Sequence, residues 1–443
     1  MLKQFSALGV KEELQKSLVN LQISEPTEIQ KKAIPAILNQ KEDVVVLAKT
    51  GTGKTAAFGL PLLQLVSAAN EDIQALILAP TRELGQQIYT NLLAFAGENS
   101  AVEIVSICGG TPIKPQIEQL KSKTHIVIAT PGRLIDLHKR NALDLKSLKY
   151  LVLDEADEML SALKEEVETI LKEIPKTKRT FLFTATMPGY IKQLVQNYLA
   201  KKVIHLEADM QTIGHQGIDH QYVVVEPIEK LEVLLHFLST REGERGIIFC
   251  KTKAAVNKLA KKLAINKFSS GSIHGSLTQA IRDRIMGQFR EGHIDILVAT
   301  DLAARGIDVK DISYVVNYHL PDTYDAYVHR SGRTARAGAK GFSLTILQEE
   351  EVPEIADFEQ ELGIVFKPLK KADAQSIEEN NTLLWAKKIF KTKPNREISE
   401  EFKTKVKTVF HHLTKDELIE KVLAHYIAQN NTSHLPSENL NKK

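Results

Sequence analysis

Short apolar runs without polar alternation recur along this chain, and they limit it more than any other feature. Val44 to Leu47, Ala75 to Ala79, Ile126 to Ala129, Leu151 to Leu153 and Thr180 to Phe183 form a first series. A strand with one wet face alternates polar and apolar residues. A run with no alternation is buried on both faces, as in a parallel sheet covered by helices. Helical patterns lie between the runs, which gives the βαβ rhythm of a doubly wound sheet. The rhythm stops near Ala200 and restarts near Gln221. The stretch Glu207 to Asp219 between them is polar and carries Gly214 and Gly217, so it reads as a linker. A second series follows at Gly246 to Cys250, Ile294 to Ala299, Ile312 to Val316 and Phe342 to Ile346. The expected fold class is therefore α/β, with two doubly wound parallel-sheet domains in tandem and no obvious sequence repeat between them. The boundaries read as 1–207, a linker at 208–219, 220–348, and a helical extension at 349–443.

That extension carries no strand pattern after Gln348. Thr414 to Glu417 has the spacing of a capping box, and Leu418, Val422, Leu423, Tyr426 and Ile427 follow at helical intervals. The tail from Asn430 is polar.

The 443 residues allow two or three domains at on the order of 150 residues each. With 58 basic and 55 acidic residues the formal net charge is only +3, so any nucleic-acid footprint has to be local. Cys108 and Cys250 each follow an apolar run and read as buried, reduced core thiols. No apolar run approaches the roughly 20 residues of a membrane span, and the N-terminus has no signal pattern. These features lead to the expectation of a cytoplasmic protein.

The chemistry begins at Ala48-Lys49-Thr50-Gly51-Thr52-Gly53-Lys54-Thr55, between the first apolar run and a helical pattern. Glycines let backbone N–H groups wrap phosphates, and the helix N-terminus adds partial positive charge. Lys54 is expected to neutralise the terminal phosphates, and the Thr55 hydroxyl to hold Mg²⁺. Asp154-Glu155-Ala156-Asp157 ends the run Leu151 to Leu153, where side chains of a parallel sheet face the ligand crevice. Asp154 is placed to reach Mg²⁺, directly or through water, and Glu155 to activate the attacking water. An acidic first helical turn is the plainer reading of the tetrad, and the neighbouring P-loop decides against it. In the second domain, His329-Arg330-Ser331-Gly332-Arg333-Thr334-Ala335-Arg336 starts inside a helical pattern, with Arg333 and Arg336 spaced for one face. Planar guanidinium forks stabilise charge on a transferring phosphoryl group.

From about Phe5 to Leu347 the chain resembles the DEAD-box ATP-dependent RNA helicases of bacterial type, with several motifs in the family's order. Phe5 and Pro26-Thr27-Glu28-Ile29-Gln30 resemble the adenine-recognising Q motif, and Ala48 to Thr55 is similar to the family's P-loop. Pro80-Thr81-Arg82-Glu83-Leu84, Gly109-Gly110 and Thr130-Pro131-Gly132-Arg133 resemble the first domain's RNA contacts. Asp154 to Asp157 is the name-giving tetrad, and Thr184-Ala185-Thr186 resembles the motif linking hydrolysis to strand separation. Ile247 to Cys250, Gln279 to Arg282, Ala299 to Asp308 and Tyr327 to Gly338 resemble the second-domain motifs.

The resemblance implies two RecA-like domains, with ATP and Mg²⁺ as cofactors and RNA as partner. It implies an ATP site of Phe5, Thr27, Gln30, Thr50, Gly51, Thr52, Gly53, Lys54, Thr55 and Asp308, the last on the ribose. Lys54, Asp154, Glu155, Arg333 and Arg336 carry catalysis by the same token, the two arginines as fingers. Thr184, Thr186 and His329 carry coupling. Pro80, Thr81, Arg82, Gly110, Thr130, Pro131, Gly132, Arg133, Arg282 and Thr300 face RNA. The family's activity implies local unwinding of short duplexes or remodelling of RNA–protein complexes. An ATP-locked RNA clamp is the alternative that the sequence leaves open.

Three positions depart from the family pattern. Thr184 stands for Ser, Gln22-Ile23 for a Gly-aromatic pair, and His319 where the family often has Asp. In the extension, Lys387, Lys388, Lys391, Lys393 and Arg396 cluster near Trp385 and Phe390, as a solvated face or an RNA-capturing patch. The stripe from Leu418 to Ile427 reads as packing against the core, with a dimer or partner contact as the other option.

Overall fold

The structure is a computed structural model that describes residues 2–48, 51–98, 100–207, 217–304, 312–335, 340–371 and 398–431, with 379, 382–383, 385–386, 389–390 and 392 between the last two. It forms two compact units, Met1–Tyr222 with Glu244–Lys367, and Val223–Gly243 with Pro368–Lys443.

The first sheet contains β1 (Asp43–Leu47), β2 (Ala75–Leu78), β3 (Ile104–Ile107), β4 (Ile126–Ala129), β5 (Tyr150–Leu153), β6 (Arg179–Thr184) and β7 (Val203–Glu207) in the order β3-β4-β2-β5-β6-β1-β7. Its strand pairs are parallel. Alternate residues of one strand enter opposite cores: Val44 and Val46 join one cluster, Val45 the other, and all are at most 1% exposed. Phe181 and Phe183 against Leu182 repeat the pattern on β6. Burying each such side chain contributes about 1.5–3 kcal/mol, which is why these strands contain no polar alternation.

The second sheet contains β8 (Ile218–Val224), β9 (Gly246–Phe249), β10 (Ser270–Ile273), β11 (Ile296–Ala299), β12 (Tyr314–Asn317), β13 (Gly341–Leu347) and β14 (Lys367–Pro368), ordered β10-β11-β9-β12-β13-β8-β14. The pairs from β10 through β13 are parallel. The tandem α/β reading therefore holds. The strand list needed additions at β3, β7, β8, β10 and β14. Four of these five lie at sheet edges, where half-exposed strands such as Ser-Gly-Ser-Ile lack the apolar run that marks a central strand. β14 also corrects the expectation that strands end at Gln348.

Both cysteines are buried free thiols, as expected. Burial pushes the Cys250 thiol up to about 12, so it is chemically inert at neutral pH. Among the described residues no helix is long and apolar enough to cross a membrane.

In the smaller unit, the helices Glu400–Phe410 and Lys415–Asn431 are present. The capping box forms as read: the Glu417 backbone N–H donates to Thr414 Oγ1 at 3.2 Å, and Thr414 N–H donates to the Glu417 carboxylate at 2.8 Å. Trp385 stacks on Tyr426 with ring centroids 4.1 Å apart, so its indole is committed to packing within the unit. Phe390, by contrast, is 91% exposed. The basic cluster Lys387, Lys388, Lys391, Lys393 and Arg396 lies outside the described residues, as does most of the linker read at 208–219.

Candidate active site

The parallel order brings the carboxyl ends of β1, β2, β4, β5 and β6 to one edge of the first sheet, and the motifs sit in the loops leaving that edge. After β1 the chain turns through Gly51 and Gly53, whose φ values of +86° and +90° favour glycine. A side chain at Gly53 would also strike Gln30, since an added Cβ would lie 2.3 Å from its Nε2. Lys54 then opens the helix Lys54–Leu65, with Thr55 next in its first turn. The Lys54 ammonium is buried and has no hydrogen-bond acceptor among the described residues. Its nearest charge is Asp154, 4.0 Å away. Burial alone would push its pKa down, but the pull of Asp154, Glu155, Asp157 and Glu158 reverses this and raises it. A cation held charged, buried and without an acceptor, beside glycine turns and a helix N-terminus, fits a polyphosphate.

The Q-motif residues brace this loop. Thr27 caps the helix Glu28–Asn39, and its hydroxyl donates to the Thr52 carbonyl at 2.8 Å. Gln30 donates from Nε2 to the Gly53 carbonyl at 3.1 Å and accepts the Thr27 N–H at Oε1 at 3.0 Å. An amide has two donors and two lone pairs, so one of each remains for a base. Phe5 is fully buried, in the apolar cluster that also contains Ile29 and Ile34. Gln22 adopts φ +58°, a left-handed conformation that glycine enters more easily than other residues.

Asp154 and Glu155 end β5, both at most 4% exposed. Glu155 has φ +49°, a strained corner that turns its carboxyl from the strand into the cleft at the start of the helix Ala156–Glu173. Burial, with the neighbouring Glu158 charge, pushes Glu155 up to about 7. Burial likewise raises Asp154, against the opposing pull of Lys54. Asp157 has a different role. Its Oδ2 accepts from the Ala185 N–H, the Thr186 N–H and the Thr186 hydroxyl at 3.1, 2.9 and 2.9 Å. The tetrad is thereby tied to the Thr184–Thr186 loop, and the Thr184 hydroxyl donates to the Thr186 carbonyl at 2.7 Å. The retained hydroxyl thus keeps a loop contact despite the Ser-to-Thr change.

The second sheet reaches this site. His329 Nδ1 lies 2.9 Å from Glu158 Oε1, and the Thr186 hydroxyl lies 3.4 Å from Asp325 Oδ2. Arg333, 5% exposed, is near enough for its charge to pull the Glu155 pKa down. It does not project from a helical face as expected. The helix Tyr324–Ser331 ends before it, Gly332 caps that end, and Arg333 Nε donates back to the His329 carbonyl at 3.1 Å. Arg330 locks this segment: its fork spans both Asp301 carboxylate oxygens at 2.5 and 2.8 Å, and it donates to Asn317 and the His319 carbonyl. At the departure site the backbone of His319 therefore carries this contact. Thr50, Asp308 and Arg336 lie outside the described residues. No cluster of three or more metal-ligating side chains occurs among the described residues. Thr55 and Asp154 offer a hydroxyl and a carboxylate, the hard oxygen donors that suit Mg²⁺.

The expected RNA residues of the first domain lie in loops at the same edge. Thr81 caps the helix Arg82–Ala96, accepting the Leu84 N–H at 3.3 Å. Thr130 receives the Gly109 N–H at 3.1 Å and precedes Pro131 at the start of the helix Pro131–Lys139. An added Cβ at Gly132 would meet nothing within 4 Å, so its backbone is open to close approach. Pro80 lies at the turn into the Arg82 helix, and Thr300 at the end of β11. Three arginines read as RNA contacts, Arg82, Arg133 and Arg282, are engaged internally. Arg133 donates to Gln116 and, at 2.8 Å, to the Thr111 carbonyl, bracing the Gly109–Gly110 loop. Arg282 pairs with Glu83 of the other sheet at 3.0 Å. Next to it Arg82 pairs with Asp283 at 3.5 Å, and Gln279 reaches Glu83 and Asp283. Gly110 completes this junction, since a Cβ there would lie 3.3 Å from Gln279 Oε1. Sequence reasoning missed Glu158 and Asp283. Each adjoins a named motif, and only the pairing between sheets gives them a role.

These features set a buried lysine, glycine turns and buried carboxylates at one edge of an α/β sheet, met by basic side chains from a second. Family models match in the same arrangement: DEAD/DEAH box helicase over residues 27–194, helicase conserved C-terminal domain over 229–338, and a helical domain of probable ATP-dependent RNA helicases over 377–429. The ATP-dependent RNA helicase CshA of Limosilactobacillus reuteri is 40% identical over 374 residues, covering 84% of this chain and 74% of that protein. The chain belongs to the DEAD-box family of ATP-dependent RNA helicases. Among solved structures, S. cerevisiae Dbp5 bound to RNA and ADP BeF3 is similar with a TM-score of 0.78 and 29% identity, covering 86% of this chain and all of that one. A variant of the same yeast protein bound to Nup159, Gle1, IP6 and ADP is similar with a TM-score of 0.60 and 28% identity, covering 87% of this chain and 100% of that one.

Proposed function

We propose that ATP binding closes the cleft between the two sheets, that closure completes both the catalytic site and an RNA groove, and that the enzyme thereby separates short RNA duplexes. One observation carries this reading: Arg333 and His329 of the second sheet stand at the carboxylates Glu155 and Glu158 of the first. The proposed domain division is 1–207 and 220–348, with Lys54 and the glycine turns gripping the phosphates.

In this scheme Glu155 takes a proton from the attacking water, and Arg333, with Arg336, stabilises the charge that develops on the phosphoryl group. Thr55 and Asp154 would hold Mg²⁺, which when bound offsets phosphate charge. Asp157, through Thr186, and His329, through Glu158, transmit the state of the site to the second domain. RNA lies along Pro80, Thr81, Arg82, Gly110, Thr130 and Gly132, a set rich in backbone donors and small residues that suits phosphate and 2′-OH contacts. By linkage, a polynucleotide that prefers the closed state tightens ATP binding in return.

Strand displacement tests this. With ATP, a short RNA duplex is expected to release its labelled strand, and a non-hydrolysable analogue should support at most one release per enzyme. ATP-dependent retention of RNA without strand release would overturn unwinding in favour of a clamp.

A further inference from the structure

We infer that Glu158 is a positioning residue that makes closure of the cleft depend on protonation of His329. This rests on the closure mechanism proposed above and adds a residue outside its motifs, together with a regulatory variable.

The geometry is specific. Glu158 stands in the first turn of the helix Ala156–Glu173, and its side chain is 1% exposed. His329 comes from the helix Tyr324–Ser331 of the other sheet, its side chain is 13% exposed, and the two approach to 2.9 Å. A carboxylate buried this deeply is costly unless paired, and the imidazolium is the partner that closure delivers. In an open cleft the histidine returns to water and its ordinary pKa near 6.5. Other charges face the pair as well. Asp157 and Glu155 lie on the tetrad side, Asp325 one turn earlier on the histidine's own helix, and Arg333 donates to the His329 carbonyl.

The sign follows from linkage. Burial is the largest single influence on His329 and pushes its pKa down, but the close Glu158 carboxylate and the charges of Asp157 and Glu155 together reverse this, so the closed-state pKa is raised. Closure therefore takes up a proton. It is fully supported below the ordinary histidine value and loses that support as pH rises through the raised value. Removing the Glu158 charge should thus flatten the pH dependence.

The test uses the full chain, a fluorescent single-stranded RNA, Mg²⁺ and a non-hydrolysable ATP analogue, with affinity read from pH 6.5 to 8.5. Nucleotide-free binding on the same samples is the reference. Wild-type affinity with nucleotide should fall about five- to tenfold across this range, as expected for up to one linked proton. Glu158→Gln keeps the shape and loses the charge. It should bind about tenfold more weakly at pH 6.5 and show no such fall. A flat wild-type profile overturns the inference whether or not the variant folds, and so does a folded Glu158→Gln variant with the wild-type slope. If nucleotide leaves wild-type RNA affinity unchanged at every pH, the closure mechanism itself fails, and this inference with it.

Discussion

Replacing Arg333 by alanine should lower the ATP turnover number about 10³-fold while changing ATP affinity no more than about twofold. A loss of 10³ corresponds to about 4 kcal/mol of transition-state stabilisation, within the range for an arginine that meets developing charge on a phosphoryl group. Binding should survive because the proposed ground-state contacts belong to the first sheet: Lys54 in its buried position, the turns at Gly51 and Gly53, and the Thr27–Gln30 brace. Arg333 is itself held by its bond to the His329 carbonyl, so its position depends on the segment that Arg330 anchors to Asp301. Single-turnover hydrolysis with equilibrium binding of a fluorescent ATP analogue separates the two quantities. Wild-type turnover in Arg333→Ala would mean that the second sheet plays no part in the chemistry.

Glu83→Arg should weaken nucleotide-dependent RNA binding about 100-fold, Arg282→Glu should do the same, and the double reversal should recover most of the loss. The Glu83–Arg282 pair is 3.0 Å apart with both side chains largely buried, 13% and 16% exposed. Reversing one partner places like charges together in a desolvated junction, and breaking a buried pair costs about 3–5 kcal/mol. The parallel pair Arg82–Asp283 is longer, 3.5 Å, and Asp283 is 56% exposed, so water screens it and its contribution is small. Affinities of wild type, both single variants and the double variant, measured with a non-hydrolysable analogue, form a double-mutant cycle. Independent losses that simply add in the double variant would remove this pair from the closing mechanism.

Much of this architecture was readable because the chemistry is local in sequence. The P-loop needs glycines, a lysine and a following helix within a few residues, and Asp154 and Glu155 need only the end of a buried strand. The central strands were equally legible, since two buried faces leave no room for polar residues. The edge strands were not: β10, Ser-Gly-Ser-Ile, is stabilised by its pairing with β11 rather than by its own composition. Contacts made across the fold were also hidden. Nothing near His329 in sequence says that its partner is Glu158, and Arg282 looks like a phosphate ligand until Glu83 is seen beside it.

RNA stimulation of ATP hydrolysis by the intact chain tests the central claim most directly. If a polynucleotide helps to close a cleft whose catalytic residues are divided between two sheets, saturating single-stranded RNA should raise steady-state turnover at least about tenfold, the scale of a coupling free energy between two sites. The same concentration of single-stranded DNA should give little increase, since it lacks the 2′-OH. An ATPase that runs equally fast with and without RNA would contradict the account.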